Sequence, residues 1–217
     1  MIDEQLAARI RAAGVIAVIT IDDASRAAPL AQSLLEGGVS AIELTLRTPG
    51  ALAAMEAIAS AAPDMMIGAG TVLNVEQLST VRDAGATFAV APGFNPEMVK
   101  AADAMRFPFS PGVMTPSEIE CAFALGCSVL KFYHAGVAGG LGALKSMAAP
   151  YAHLGLRFIP LGGVSPDNLG AWLADDTILA VGGSWIAPRG DIADGNFGAI
   201  TERASAAISV LHEERQS

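Results

Sequence analysis

Short apolar runs alternate with longer amphipathic stretches along the whole sequence, and no other feature limits the possible folds as strongly. Each run is rich in Val, Ile, Leu and Ala, and a stretch with helical spacing of its apolar residues follows it. The runs lie at 14–20, 40–46, 65–71, 87–91, 107–111, 128–133, 156–161 and 177–182. Strands that alternate with helices in this way form βαβ units with parallel strands. About eight such units predict an α/β fold, a (β/α)₈ TIM barrel.

Residues that begin and end helices fall where this repeat requires them. Side chains that cap helix N-termini, several of them followed by proline, lie at Thr48-Pro49, Asn74 with Gln77, Asn95-Pro96, Thr115-Pro116 with Glu118, and Ser165-Pro166. Glycines, which commonly end helices, precede later runs at Gly37-Gly38, Gly85 and Gly126. The opening residues MIDEQLAARIRAAG have Leu and Ile at helical spacing and predict a short N-terminal helix. Because no linker or low-complexity tract divides the chain, residues 1–217 are expected to form one barrel domain.

A doubly wound parallel sheet is the alternative fold for alternating strands and helices. Its dinucleotide-binding fingerprint requires three glycines at fixed spacing after a strand. The segment Gly68-Ala69-Gly70 lacks the third glycine at that spacing. The barrel is therefore favoured.

Charge and composition exclude several classes of partner. The formal net charge is −9, which repels the phosphates of nucleic acids and anionic membrane surfaces. An anionic substrate would therefore need a local cationic pocket. No apolar run approaches the ~18 residues of a membrane span, and the first residues lack the apolar core of a signal peptide. Cys121 and Cys127 have neither redox-motif nor disulfide-framework spacing, which predicts reduced thiols and a cytoplasmic protein.

The apolar content is higher than that of an average soluble domain. Hydrophobic residues make up 52% of the chain and charged residues 16%, and the mean hydropathy is +0.46. Ordinary domains have roughly half apolar and a quarter charged residues. The surplus predicts apolar surface that a partner covers, and self-association is the simplest way to cover it.

Glu43, Thr45 and Arg47 are expected to lie inside the barrel. Successive side chains of a strand point to opposite faces, so Ile42 and Leu44 share the face that packs on helices. A carboxylate and a guanidinium are thereby predicted near the C-terminal end of the barrel, where barrel enzymes have their active sites. The alternative is an ion pair that only fills the interior.

Lys131 lies within the apolar run Ser128-Val-Leu-Lys-Phe-Tyr133, whereas Lys100 and Lys145 fall in helical stretches. Lys131 shares one strand face with Val129 and Tyr133. Desolvation there disfavours the ammonium and favours the nucleophilic amine. The sequence thus predicts a lysine nucleophile, with a structural ion pair to Glu43 as the alternative.

Two glycine segments follow the last two runs, where barrels often bind phosphate with backbone N–H groups. They are Gly162-Gly163 and Gly182-Gly183-Ser184, and tight turns are the alternative interpretation of each. His134, His153 and His212 show no ligand spacing, so no histidine-based metal site and no cofactor are predicted. A Mg²⁺ ion held by carboxylates stays open.

These residues together resemble the 2-keto-3-deoxy-6-phosphogluconate aldolase family, which includes 4-hydroxy-2-oxoglutarate aldolases and 6-phosphogalactonate relatives. The resemblance rests on Glu43-Leu-Thr-Leu-Arg47, Gly68-Ala-Gly-Thr71-Val-Leu-Asn74, Pro92-Gly93, Lys131-Phe132, Gly162-Gly163 and Gly182-Gly183-Ser184-Trp185, in order along nearly the whole chain. It implies a class I aldolase that releases pyruvate from a keto acid, a (β/α)₈ fold, a homotrimer and a place in carbohydrate metabolism, in the Entner–Doudoroff pathway.

The resemblance also implies a role for individual residues. Lys131 matches the Schiff-base lysine, and Glu43 matches the general acid and base, which acts partly through water. Arg47 and Thr71 match the groups that bind the pyruvate carboxylate, and Pro92 matches a residue of the pocket wall. The residues that match the binding site of the distal phosphate are Gly162, Gly163, Gly183 and Ser184.

Two segments depart from the pattern of the phosphogluconate enzymes. Their lysine strand usually continues Lys-Phe-Phe-Pro-Ala-Glu, whereas this chain has Lys131-Phe-Tyr133-His134-Ala-Gly136. Their Pro-Thr-Gly-Gly segment, with the threonine near the substrate, is here Pro160-Leu161-Gly162-Gly163. Tyr133 and Leu161 are expected to contact the substrate. The departures at Leu161 and at His134-Ala-Gly136 are expected to alter which substrate is preferred. A phosphate-binding barrel isomerase or synthase, which needs no interior lysine, and a non-catalytic interaction protein are the more distant alternatives.

Overall fold

The parallel strands of the computed structural model, which describes residues 1–216, enclose a barrel. The strands are β1 (Val15–Ile19), β2 (Ala41–Thr45), β3 (Met66–Gly70), β4 (Phe88–Val90), β5 (Phe109–Ser110), β6 (Gly112–Val113), β7 (Val129–Tyr133), β8 (Arg157–Leu161) and β9 (Val181–Gly183). The helices are α1 (Glu4–Ala13), α2 (Ala27–Glu36), α3 (Ala51–Ala61), α4 (Val75–Asp83), α5 (Pro96–Ala104), α6 (Pro116–Ala124), α7 (Gly140–Ala148), α8 (Leu169–Leu173), α9 (Arg189–Asp194) and α10 (Phe197–Gln216), with short 3₁₀ helices at Ala24–Arg26 and Ala149–Leu154. The predicted (β/α)₈ barrel with an N-terminal helix is confirmed.

The barrel closes at Pro111. The strand order is β5-β4-β3-β2-β1-β9-β8-β7-β6, and only Pro111 separates β5 from β6 in the chain. Proline has no N–H to donate, so a single continuous strand is interrupted there. The Pro111 carbonyl still accepts a hydrogen bond from the Lys131 N–H, at 3.0 Å. The two short strands therefore act as one of eight barrel strands.

Strand β9 begins later than the run 177–182 predicts, because the neighbouring strand β8 contains a proline. Phe158 pairs with Ile178, and Leu161 pairs with Gly182, so the later segment has one residue more between the two pairings. Pro160 lies between Phe158 and Leu161 and cannot donate to the ladder. The extra residue forms an irregular step before β9.

Helix α1 fills the N-terminal end of the barrel. Leu6 and Ile10 of α1 are buried in one cluster with inward-facing strand residues, which include Ile16, Met66 and Ile159. Burial of an aliphatic side chain of this size contributes roughly 1.5–3 kcal/mol to the free energy of unfolding. Within residues 1–216, the barrel interior is therefore open toward the C-terminal ends of the strands.

Three of the predicted helix caps are confirmed. Asn74 and Thr115 form capping boxes with Gln77 and Glu118, and the Asn95 side chain accepts a hydrogen bond from the Glu97 N–H.

No helix in residues 1–216 is both long and apolar enough to cross a bilayer.

The predicted caps at Thr48 and Ser165 are wrong. Helix α3 begins at Ala51 after Gly50, and the Thr48 hydroxyl instead donates to the Ile21 carbonyl. Helix α8 begins at Leu169, and the Ser165 N–H donates to the Asn168 side chain. In both cases a short turn stands between the expected cap and the helix.

Candidate active site

A cavity of about 290 Å³ opens at the C-terminal ends of the barrel strands. It is lined by Val18, Glu43, Thr45, Arg47, Thr71, Pro92, Lys131, Tyr133, His134, Leu161, Gly162, Gly182 and Ser184. The predicted inward face of β2 is confirmed, since Ile42 and Leu44 lie in the outer hydrophobic cluster. The lysine of β7 and the carboxylate of β2 thus reach the same cavity.

Lys131 and Glu43 form a buried ion pair. The Lys131 Nζ lies 2.7 Å from Glu43 Oε1, and each side chain is 5% exposed. The carboxylate has room because the neighbouring strand carries Gly70, where an added Cβ would overlap Glu43. Burying two charges is favourable only when they are closely paired and hydrogen-bonded. The short contact also lets a proton pass between them.

Tyr133 packs beside the lysine nitrogen. The Lys131 Nζ lies 5.3 Å from the centroid of the Tyr133 ring, which is the geometry of a cation–π contact. The His134 ring lies next to that of Tyr133, with centroids 4.7 Å apart and planes tilted by 42°. A cation at the lysine nitrogen is therefore stabilised by Glu43 on one side and by an aromatic ring on another.

Arg47 has no carboxylate partner within residues 1–216. The ion pair that the sequence left open between Glu43 and Arg47 does not form, because Glu43 pairs with Lys131. The Arg47 guanidinium instead donates to the Thr45 and Thr20 hydroxyls. In an acidic protein, an unpaired guanidinium at a cavity is available to an anionic ligand.

Thr71 and Pro92 line the cavity near the ends of strands β3 and β4. Thr71 follows β3 with a φ of +59°. A β-branched residue in this left-handed region is strained, and such residues cluster at functional sites. The strained backbone places Thr71 at the cavity.

Only part of the predicted phosphate site lines this cavity. Gly162 and Ser184 do, together with Gly182, whereas Gly163 and Gly183 do not. Gly162 and Gly163 have φ values of +79° and +97°, and an added Cβ at Gly162 would collide with the His134 ring. These φ values and the close His134 ring show why side chains are excluded from this turn.

Leu161 faces the cavity from β8. It pairs in register with Tyr133, so the two departures from the family pattern are neighbours on adjacent strands. Its side chain occupies the space over Gly182, where an added Cβ would overlap it. The cavity wall is therefore apolar at this point.

A second cavity of about 520 Å³ adjoins the first. The two cavities share Val18, Arg47 and Ser184, and the second is also lined by Thr20, Trp185 and Arg189. Arg189 is held by Asp22, with donor–acceptor distances of 2.6 and 2.7 Å. The sequence prediction missed Val18, Thr20 and Arg189. Alternation from Ile16 through Val18 to Thr20 could have identified the first two.

The chain matches a family model at residues 6–203, and the model describes KDPG and KHG aldolases. A 2-dehydro-3-deoxy-phosphogluconate aldolase of Treponema pallidum is 40% identical over 91% of this chain and 93% of its own length. A KHG/KDPG aldolase of Escherichia coli is 40% identical over 89% of this chain and 90% of its own length.

A solved structure shares the whole barrel. The KDPG aldolase of Legionella pneumophila, with pyruvate captured as a covalent carbinolamine intermediate, superposes with a TM-score of 0.88. It is 38% identical, and the match covers 93% of this chain and 97% of that one. Together with the family model and the curated relatives, this places the chain in the KDPG and KHG aldolase family.

Proposed function

We propose that this protein is a class I aldolase that cleaves a 2-keto-3-deoxy-6-phospho sugar acid of the 6-phosphogluconate type to pyruvate and glyceraldehyde 3-phosphate. The observation that carries the proposal is the buried Lys131–Glu43 pair, 2.7 Å apart, in a cavity at the C-terminal ends of the strands. A nucleophilic amine and a proton acceptor in contact are the two groups that Schiff-base chemistry requires.

The reaction begins when Glu43 accepts a proton from the Lys131 ammonium. The free amine attacks the C2 ketone, and the carbinolamine loses water, with Glu43 returning the proton, to give a protonated imine. Glu43 then removes the proton of the C4 hydroxyl. The C3–C4 bond breaks, the aldehyde leaves, and the electron pair moves into an enamine on Lys131. Glu43 passes this proton to C3 of the enamine, and hydrolysis of the resulting protonated imine with one water releases pyruvate and restores the Lys131 ammonium and the Glu43 carboxylate. These reaction steps need no metal or cofactor, and aldolase activity is expected to survive treatment with EDTA.

Arg47 and Thr71 are the proposed ligands of the substrate carboxylate. The guanidinium has no carboxylate partner in residues 1–216, and its planar fork suits bidentate binding of a carboxylate. Pro92 forms part of the pocket wall. Gly162, Gly163, Gly183 and Ser184 are proposed to bind the distal phosphate, and Gly162 and Ser184 already face the cavity.

Borohydride reduction in the presence of pyruvate tests the mechanism. We expect a stable adduct on Lys131 and none on Lys100 or Lys145, which are exposed and paired with Glu97 and Asp175. Peptide mass mapping locates the adduct. Lys131→Met should abolish cleavage and retain the circular dichroism of the wild type. An unmodified Lys131 peptide in active enzyme would rule out the Schiff-base mechanism.

The second candidate substrates are 4-hydroxy-2-oxoglutarate and the 6-phosphogalactonate analogue. The apolar Leu161 at the cavity wall favours this alternative, because the phosphogluconate pattern has a threonine there. The Schiff-base steps on Lys131 would be unchanged. Specificity constants for the three keto acids distinguish the candidates.

We also propose a homotrimer of single-domain barrels, located in the cytoplasm and acting in the Entner–Doudoroff pathway. Exposed apolar side chains on the described surface, which a partner subunit could cover, support association: Leu73, Val75, Met114, Phe123 and Val137. Free Cys121 and Cys127 are consistent with a reducing compartment. Light scattering should give three times the chain mass of 22.1 kDa. A monomeric mass would contradict the trimer.

A further inference from the structure

Two threonine hydroxyls hold one edge of the Arg47 guanidinium. Arg47 Nε donates to Thr45 Oγ1 at 3.2 Å, and Arg47 Nη2 donates to Thr20 Oγ1 at 2.8 Å. The two hydroxyls are 3.0 Å from each other. Nε and Nη2 form the side edge of the guanidinium plane, so this edge is fully occupied.

The direction of each hydrogen bond follows from the number of protons. Thr45 Oγ1 has a single proton, and it donates this proton to the Ile19 carbonyl at 2.9 Å. Thr45 must therefore accept from both Arg47 and Thr20. Thr20 consequently donates to Thr45 and accepts from Arg47. The chain from guanidinium to backbone has one arrangement of protons, which fixes the rotamers of both threonines.

The strands supply a rigid base for this network. Thr45 ends β2 and is only 2% exposed, and Thr20 directly follows β1. Strands β1 and β2 pair in parallel, with Ile19 opposite Leu44. The remaining edge of the guanidinium, formed by Nη1 and the second proton of Nη2, has no acceptor within residues 1–216.

We propose that Thr20 and Thr45 are positioning residues that turn the free edge of Arg47 toward the substrate carboxylate. The inference rests on the proposed function, in which Arg47 binds that carboxylate. A planar fork loses little further side-chain freedom on binding when its orientation is fixed in advance. Neither threonine itself needs to contact the substrate.

The test compares Thr20→Val and Thr45→Val, which keep the side-chain shape and remove the hydroxyl. Each should raise KM and weaken pyruvate binding, measured by calorimetry, by about tenfold, the effect of one lost hydrogen bond to a charged group. The turnover number should change by less than threefold, because binding lost equally in ground and transition states raises KM alone. Thr20→Ser and Thr45→Ser, which keep the hydroxyl, should restore the wild-type KM and pyruvate affinity.

Coupling to Arg47 separates positioning from a general structural effect. In an Arg47→Met background, either threonine change should have no further effect on pyruvate affinity, since the group that it orients is gone. Thr48→Val is the matched control, because its hydroxyl donates to the Ile21 carbonyl of the same region and does not touch Arg47. It should leave KM unchanged. If Thr45→Val does not fold, the more exposed Thr20 provides the test.

Wild-type KM in both valine variants, or effects that add fully to those of Arg47→Met, would overturn the inference. The proposed function fails separately, if pyruvate and borohydride leave Lys131 of the wild type unmodified. With Lys131 labelled in the wild type, the kinetics of the threonine variants concern positioning alone.

Discussion

Lys131 and Glu43 meet from opposite sides of the barrel. Strand β7 carries the lysine and β2 carries the carboxylate, and three strands separate them along the β1, β9 and β8 side. The 2.7 Å contact therefore spans the interior. Only side chains long enough to reach the barrel axis can form it, and the glycine at position 70 clears the space for one of them. The pair depends on the closed barrel and on no local segment.

Replacing Glu43 by Gln should slow turnover by about 10²- to 10⁴-fold, the usual contribution of a positioned acid or base. The amide cannot accept the proton of the C4 hydroxyl. The lysine is retained, so pyruvate and borohydride should still label Lys131 on prolonged incubation. Steady-state turnover and mass mapping measure the two effects. Wild-type turnover in this variant would reduce Glu43 to a structural partner of the lysine.

A methyl group at position 70 should reduce activity without touching the substrate. Gly70→Ala places Cβ within the space of the Glu43 carboxylate, which must move away from Lys131. A displacement of about 1 Å at a reacting group can cost ~10²-fold in rate. Gly142→Ala is the control, since an added Cβ meets nothing there and alanine favours a helix. Equal activity of the two variants would contradict the role of Gly70.

Thr71→Gly should separate stability from binding. The threonine has a φ of +59°, a conformation that costs roughly 1–3 kcal/mol for a non-glycine residue. Glycine relieves this strain, although it loses roughly 0.5–1 kcal/mol through the entropy of the unfolded chain. The variant should therefore be at least as stable as the wild type in urea, while its affinity for pyruvate falls. Clear destabilisation would mean that the side chain has a packing role.

The sequence predicted the interior residues well because strand alternation is a local rule. Glu43, Thr45 and Lys131 all face the cavity as their spacing requires. Which of these side chains pair with one another, by contrast, depends on residues that are far apart in the sequence. Arg47 was expected near the carboxylate, yet it binds two hydroxyls on the β1 and β2 side, because Glu43 extends across the barrel to Lys131.

Two of the failed predictions, the cap at Thr48 and the start of β9, involve groups whose partners are distant in the chain. Thr48 has the sequence of a helix cap, but the Ile21 carbonyl takes its hydroxyl, and no local pattern reveals that acceptor. The late start of β9 depends on Pro160 in the neighbouring strand. The role of Thr20 was not predicted, because it depends on a hydrogen bond from Arg47, 27 positions later in the chain.

Leu161→Thr should shift the preference among keto acids toward the 6-phosphogluconate type. Leu161 makes the cavity wall apolar beside Tyr133, and a threonine there adds a hydroxyl that could hold the middle of the substrate. A hydrogen bond of this kind is worth roughly 1 kcal/mol, and 1.4 kcal/mol corresponds to a tenfold change in kcat/KM. We expect a gain of about fivefold for that substrate relative to 4-hydroxy-2-oxoglutarate. Leu161→Val is the matched control, since it has the shape of threonine without the hydroxyl and should lack the gain.

Specificity constants for the two phosphorylated keto acids and for 4-hydroxy-2-oxoglutarate test whether Leu161 selects the substrate. If the wild type already prefers the phosphogluconate substrate strongly and Leu161→Thr changes nothing, Leu161 does not select the substrate, and backbone groups of the glycine turn hold it instead.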